Sequence, residues 1–542
     1  MQKTQLKLQK DYSLSCSGYQ LKLPLNLETV IPSDDSVRLL SQLVEEMDLA
    51  SLYATYERRR NHAATPKQML KIVLYAAMSR RYSSRDIEMA CKRDINFMFL
   101  LEGMPAPDHA TIARFKSLHF AGCSMELLAQ LSEWLYLNGE ISGRDLFIDG
   151  TKIESRANKY TFVWKKATTK NLAKLQTKIV TLVEECEDLY GIRVVHDGKV
   201  SLHKLKKLRK KLYALKEEEG ITFVHGSGKR KSQLQRSIEL LEDYTEKLKE
   251  YTKKLHVCGD RNSYSKTDPD ATFMRMKEDA MLNGQLKPAY NLQHGVDSEY
   301  IVWLDISQKT TDTPTLIPFL KKIEKGLGFK YTNIVADAGY ESEENYLFIE
   351  ENGQIAFIKP ANYEISKTSK YQKDIGRAEN MYYDSVNDCY ICKNNNQLIV
   401  SGERTYTTAS GYLRTSTFYL CEDCGGCPYK KKCIKGNHCK TPWEERNKRI
   451  EVSRVFVEKR EECLERITSD EGIQLRMNRS IQAEGSFSET KDGMGFRRYL
   501  SSGIRNVTME SVIIALAHNI NKLHAKIQND RTGKHLYEVK SA

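Results

Sequence analysis

The sequence predicts an α/β protein built on one mixed sheet, with a helical region before it, a helical insert inside it and a cysteine-rich insert near its end. Short apolar or alternating runs recur at 146–148, 289–296, 300–306, 334–336 and 354–358, with helix-period segments among them. Three strands in meander followed by alternating helix and strand produce a sheet with a parallel half. Residues 30–135 carry helical signals alone, and five cysteines crowd between 421 and 439. At 542 residues and 40% hydrophobic content the chain can fill several cores. The expected division is a helical domain at 1–140, a sheet-bearing core at 141–360 interrupted by helices at 165–257, a cysteine-rich insert at 361–445 and a helical end at 446–542.

In the helical domain, Thr65-Pro66-Lys67-Gln68 offers an N-cap, a proline at the first helical position and a capping-box glutamine. Apolar spacing continues through Met69, Ile72, Val73, Ala76 and Ala77. A second helix is expected after Ser83-Ser84, from Asp86 to Arg93. A third follows Pro107-Asp108 and carries Thr111, Arg114 and Lys116. Short helices with exposed basic residues suit a helix-turn-helix, with Arg114 and Lys116 toward DNA; an ordinary helical bundle would show the same pattern.

Between 165 and 257, Leu172, Leu175, Ile179, Leu182, Cys186 and Leu189 recur every three or four residues, and Leu234, Ile238, Leu241 and Leu248 continue the theme. A helical hairpin with a basic outer face is expected, to grip DNA, to dimerise or as a decoration. Sheet character returns at Ala289–Val296 and Tyr300–Ile306 around the turn Asp297-Ser298-Glu299. A helix from Pro314 to Lys325 follows the cap candidates Thr311-Asp312-Thr313, and another runs from Glu341 to Glu351 before the strand at 354–358. After 360 the pattern breaks until helices resume near Trp443.

Formal charge is +13, with basic clusters at Arg58-Arg59-Arg60, Lys206 to Lys211, Lys229-Arg230-Lys231 and Lys430-Lys431-Lys432. Such an excess favours polyanionic partners, although any single cluster is equally a solvated surface. No stretch approaches a membrane span and Met1 to Lys10 lacks a signal-peptide core, so a cytoplasmic, nucleoid-associated protein with no membrane partner is expected.

Of the thirteen cysteines, Cys421, Cys424, Cys427 and Cys433 form two overlapping C-x-x-C knuckles and a fourth thiol, with Cys389 and Cys392 upstream. In a reducing compartment that crowding points to metal. Zinc on four of Cys392, Cys421, Cys424, Cys427 and Cys433, with Gly425 and Gly426 in the turn, is the first reading. An iron–sulfur run and free thiols are the alternatives.

Three acidic residues carry the reaction chemistry. Asp149 follows Leu146-Phe147-Ile148 and precedes Gly150; Asp337 follows Ile334-Val335-Ala336 and precedes Ala338-Gly339. Both are expected at the tips of buried strands. Glu484 lies in a helical segment with Lys491 seven residues on, a spacing that returns to the same helix face. If the helix crosses the two strand ends, three carboxylates converge where hard divalent cations, Mg²⁺ or Mn²⁺, would bind. Glu489 competes for the third position, and Asp297 and Asp305 for the second.

The segments Phe147 to Glu154, Ala336 to Asn345, and Glu484 to Phe487 with Lys491 and Gly495-Phe496-Arg497-Arg498 together resemble the motif set of bacterial insertion-sequence DDE transposases, in a branch with an InsH-like helical N-terminal domain. The resemblance spans about 35–525. It implies a ribonuclease-H-like core with the catalytic triad on Asp149, Asp337 and Glu484, binding of terminal inverted repeats by the N-terminal helices, metal-dependent cleavage and strand transfer, and a homodimer on double-stranded DNA. Lys491, Arg479, Arg497 and Arg498 become DNA contacts. Met477 and Ser480 stand where relatives often carry Tyr and Arg, with Arg476 and Arg479 out of that register. A host nuclease on the same fold and a non-catalytic DNA-binding protein are the alternatives.

Overall fold

The computed structural model describes residues 26–538, apart from 58–61, 227–229, 277–283, 437–438 and 440. The Arg58-Arg59-Arg60 cluster, Lys229 and the stretch Met1 to Lys10 lie outside the described residues. The chain is mixed α/β, with a mixed sheet preceded by a helical region.

Both halves of the capping box form at Pro66–Met78: the Gln68 amide N–H donates to Thr65 Oγ1 (3.2 Å), and the Thr65 N–H donates to Gln68 Oε1 (2.9 Å). This helix is buried almost all round, beyond the one apolar face its spacing predicts, because it runs through the middle of the helical region. The expected second and third helices are Ser84–Arg93 and His109–Arg114, the latter continuing through a π-helical turn, Phe115–Phe120. Arg114 is exposed, as a DNA contact requires. Lys116 is not: its ammonium turns inward to donate to the Tyr82 carbonyl (2.9 Å), close to Glu510, and burial lowers its pKa.

The main sheet has the order β4-β5-β1-β7-β8, where β1 is Asp145–Glu154, β4 Thr272–Arg275, β5 Leu286–Asp297, β7 Asn333–Ala336 and β8 Ile355–Ile358; β6, Tyr300–Ser307, shares the far edge of β5 with β4. β1, β5 and β6 form the antiparallel meander, and β1, β7 and β8 run parallel. Residues 146–148, 301–304 and 334–336 are buried. The C-terminal helix Ile504–Gln528 lies against β6 and the N-terminal helices Ser36–Glu46, Pro66–Met78 and Ala121–Leu137, so a single hydrophobic core runs from Ile31 to Leu523. It also seals the sheet at β6: Asn519 Oδ1 accepts from the Ile301 N–H (2.8 Å) and Asn519 Nδ2 donates to the Ile301 carbonyl (2.9 Å). A strand edge facing apolar side chains needs such a partner.

The insert is not a hairpin but three helices, Lys165–Tyr190, Leu202–Glu218 and Gln233–Cys258, around their own apolar core. The middle helix escapes a periodicity reading because its buried stripe is only Leu205, Leu208 and Leu212 among lysines. A two-stranded ribbon, β2 (Phe162–Trp164) with β3 (Ser263–Ser265), closes its base.

Residues 382–452, where the periodicity fails, form a second, five-stranded antiparallel sheet: β9 Tyr382–Asp384, β10 Cys389–Ile391, β11 Gln397–Thr407, β12 Leu413–Cys421 and β13 Arg449–Val452. It has a small apolar core of Tyr390, Leu398, Tyr419, Ile450 and Val452, which the break in the sequence pattern did not announce. Nearly every residue of β11 is exposed on both faces, so no two-residue alternation marks it.

Replacing Asn519 with Leu strands the buried N–H and carbonyl of Ile301. We expect a loss of about 2–4 kcal/mol of stability, read as a lower urea midpoint with unchanged slope. A midpoint equal to that of the parent would show that the sheet edge does not need this side chain.

Candidate active site

The register of β1 against β7 sets the site. Parallel pairing runs from Asp145↔Asn333 to Ile148↔Ala336, and β7 ends there. Asp149 and Asp337 are the next residues on the two strands, side by side and on one face of the sheet. Asp149 is not at the tip of its own strand, as the sequence suggested; β1 continues to Glu154, and what stops is its neighbour. Chain reversal at Asp337 is fixed locally, because its Oδ1 accepts the Gly339 N–H (2.8 Å) and caps the short 3-10 turn Ala338–Tyr340.

Glu484 reaches the same place from above. It ends a π-helical turn, Ser480–Glu484, that packs on β1 and β5 between the helices Asp470–Arg479 and Gly485–Ser488. The next turn, Phe487 and Ser486, is seated on His294, the residue of β5 paired with Asp149: the rings stack at 4.2 Å, and Ser486 Oγ lies 3.2 Å from Nδ1. Burial and nearby His518 push the His294 pKa down to about 3, so the imidazole is neutral. Wide helical turns recur at functional sites, and a second one, Glu489–Gly493, follows here. Lys491, expected on the Glu484 face, lies in this second turn and is buried.

Charge at the site is unbalanced. Burial pushes the Asp149 pKa up to about 6; Arg479 opposes the shift, and the neighbouring carboxylates Asp337 and Glu484 reinforce it. Arg479 donates to Glu484 Oε1 (2.5 Å) and Ser480 to Oε2 (3.1 Å), while half of the Glu484 side chain remains exposed. Among the described residues, no group of three or more His, Cys, Asp or Glu side chains stands as a ready-made metal site. The all-oxygen donor set is nonetheless the one hard cations take, and the mutual repulsion at Asp149 is what a cation would relieve.

Asp312, read from sequence only as a helix cap, makes no capping bond with its side chain and instead supports the site. Its Oδ1 accepts from Asn291 (2.7 Å) and Gln293 (3.1 Å), and Gln293 Oε1 accepts from Tyr340 and from Thr315 (3.1 Å). This network fills the space beside Gly150, where a Cβ would stand 2.4 Å from Gln293 Nε2 and 2.8 Å from Asp312 Oδ1. No spacing rule would have found it, since its members come from β5, the loop after β6 and the turn after Asp337.

The competing acids lie elsewhere. Asp297 is buried at the C-terminal end of β5, beside the start of β1, and accepts from Ser142, Gly143 and Ser298; Asp305 pairs with Lys322; Glu489 pairs with Lys522 and His518. Of the basic residues, Arg497 is exposed and paired with Asp492, and Arg498 donates to the Ser155 and Arg156 carbonyls, which holds the loop leaving β1.

The five cysteines Cys392, Cys421, Cys424, Cys427 and Cys433 line one small cavity of about 20 Å³, and Cys389 is not among them. The Lys448 backbone N–H donates to Cys424 Sγ (3.3 Å), and Asn447 braces the knuckle through the Cys424 N–H (3.1 Å) and the Glu422 carbonyl (2.7 Å). Burial and the neighbouring thiol of Cys424 push the Cys421 thiol up to about 12. All described cysteines are free thiols.

Residues 25–118 match the family model described as Transposase domain (DUF772), and residues 391–524 match the one described as Transposase DDE domain. Both matches are to transposase domains, and together they support an insertion-sequence DDE transposase. No curated protein and no solved structure matches the chain. The DDE match contains Glu484 and the five cavity cysteines, while Asp149 and Asp337 lie upstream of it. Among the described residues no helix is long and apolar enough to cross a membrane.

A carboxylate whose pKa rises from 3.8 to about 6 on folding destabilises the fold above pH 6, and the penalty disappears as pH falls toward 3.8. In EDTA, Asp149→Asn should therefore be more stable than the parent by up to about 3 kcal/mol at pH 8, with the gap closing toward pH 4. Urea titrations at the two pH values check this; an equal gap at both would remove the electrostatic account.

Proposed function

We propose that this transposase binds the terminal inverted repeats of its own element and cuts and joins DNA there, with Asp149, Asp337 and Glu484 as the catalytic triad. The observation that carries the reading is the β1–β7 register, which sets two aspartates side by side beneath a glutamate from a helix that crosses the sheet. A ribonuclease-H-like core is supported by the strand order: a three-stranded antiparallel meander, then two strands parallel to the first.

The three carboxylates would hold Mg²⁺ or Mn²⁺. Bound there, the ions would supply Lewis-acid activation of the attacking oxygen and neutralise charge at the phosphate. Asp149, with backbone on both sides in a continuous strand, is the most rigidly held ligand and would lie between the other two. Arg479 now neutralises Glu484; with the carboxylate engaged elsewhere, its guanidinium is free to hold a phosphate oxygen in two-point fashion. The helices Ser84–Arg93 and His109–Arg114, with Arg114 exposed, are the proposed reader of the repeats, and a homodimer on DNA is the expected working form.

For the cysteine cavity we propose a structural zinc held by four of its five thiols. Sulfur donors, a braced C-x-x-C turn and a backbone N–H aimed at one sulfur suit zinc, which would tie the Cys392 hairpin to the end of β12.

Wild-type protein should cut a labelled duplex bearing the element's flanking ends in Mg²⁺ or Mn²⁺, and Asp149→Ala, Asp337→Ala and Glu484→Gln should each lower cutting at least a thousandfold with end binding kept. End binding without cutting by the wild type in either metal would favour a non-catalytic DNA-binding protein. Metal analysis of purified protein should give about one zinc per chain, lost in Cys421→Ser/Cys424→Ser; a metal-free, fully folded wild type would end the zinc proposal.

A further inference from the structure

The helical insert, residues 165–258, holds 22 lysines and arginines against 13 acids, a net of +9 within a chain whose total is +13. Most of the molecule's excess charge therefore sits on an element outside the catalytic sheet. On its first helix, Lys165–Tyr190, the charge is ordered. Lys166, Lys170, Lys174 and Lys178 follow at intervals of four, all four exposed, and among the described residues none has an acidic partner. The i, i+4 row is a continuous ridge on a helix surface, here about 18 Å long at 1.5 Å per residue. The opposite side, Leu175, Ile179, Leu182, Val183 and Cys186, packs into the insert core.

Helix stability does not explain this arrangement. Residues 165–183 contain no acid, and the acids of this helix, Glu184, Glu185, Glu187 and Asp188, all come in its last two turns. Cations at the N-terminal half and anions at the C-terminal end both oppose the helix dipole, and each i, i+4 lysine pair repels its neighbour. Self-association through this face would bring like charges together. A ridge of unpaired cations that costs the helix stability is matched by a polyanion with regular charge spacing.

The basic half is also the half that enters the insert from the sheet. The helix begins directly after β2, and the loop from β1 to β2 is held by Arg498 through the Ser155 and Arg156 carbonyls. The acidic end points away along the insert.

We propose that Lys166, Lys170, Lys174 and Lys178 form a phosphate-tracking ridge that holds duplex DNA flanking the cleavage site, an inference that rests on the transposase reading. Over 18 Å of axis a duplex presents about ten phosphates, enough for one contact per lysine.

The test is the salt dependence of duplex binding by full-length protein, using a duplex with the element's end, for the wild type, for K166A/K170A/K174A/K178A, and for K247A/K249A/K253A/K254A on the third insert helix, which removes equal charge. Alanine favours helix, and K166Q/K170Q/K174Q/K178Q repeats the test if the alanine set misfolds. The slope of log K against log salt should fall by about three to four for the ridge variant and by less than one for the control. Equal falls in both, no fall in either, or a change of oligomeric state in place of the slope would each overturn the ridge. Wild-type binding with an unchanged ridge variant defeats this inference alone, whereas absence of any duplex binding by the wild type defeats the transposase reading along with it.

Discussion

The structure depends on one register, Ile148 against Ala336, in the parallel pairing of β1 with β7. Slipping it by one residue would turn Asp149 away from Asp337 to the other face of the sheet, since side chains alternate along a strand. Everything around the register guards it. Phe147, Ile148, Val335 and Ala336 are buried, Asn333 donates to buried Asp145 (2.6 Å) at the start of the pairing, and the Asp312 network fills the gap beside Gly150 at its end. The protein thereby holds two carboxylates together against their repulsion and the cost of burial.

That cost has a functional reading. Proteins keep strongly perturbed acids where something other than stability needs them. Asp149 is raised by burial and by two other carboxylates, and the nearby cation Arg479 is bonded to Glu484. The second sheet and the cysteine cavity extend the same helical end, because β13 leads through Ser453 into the helix Arg454–Thr468, which packs on β8. The cavity sheet and the segment that carries Glu484 are thus joined through one helix.

Much of this was legible in the sequence. Apolar runs ending in Asp149 and Asp337 gave away the paired strands, and the capping box at Thr65 and the turn at Asp297 announced their elements. What could not be read had physical reasons. β11 is exposed on both faces and so has no alternation, and the middle insert helix shows three leucines in a field of lysines. Lys116 looked like a surface cation but turns its ammonium inward onto the Tyr82 carbonyl, and Lys491 is buried where a surface lysine was expected. Asp312 and His294 were invisible because their roles come from long-range packing rather than neighbours in sequence. The five cavity cysteines, by contrast, were readable from spacing alone, with Cys389 left out by strand alternation from Cys392.

Asp149, Asp337 and Glu484 are proposed to share one divalent-cation site, and iron-directed backbone cleavage reads that out: Fe²⁺ in place of Mg²⁺, with peroxide and ascorbate, cuts the polypeptide beside the residues that hold the ion. A shared site gives cuts near 149, 337 and 484 together, all suppressed by excess Mg²⁺ and all lost in Asp149→Asn. Cuts at one of these positions only, or a pattern indifferent to Mg²⁺, would contradict it.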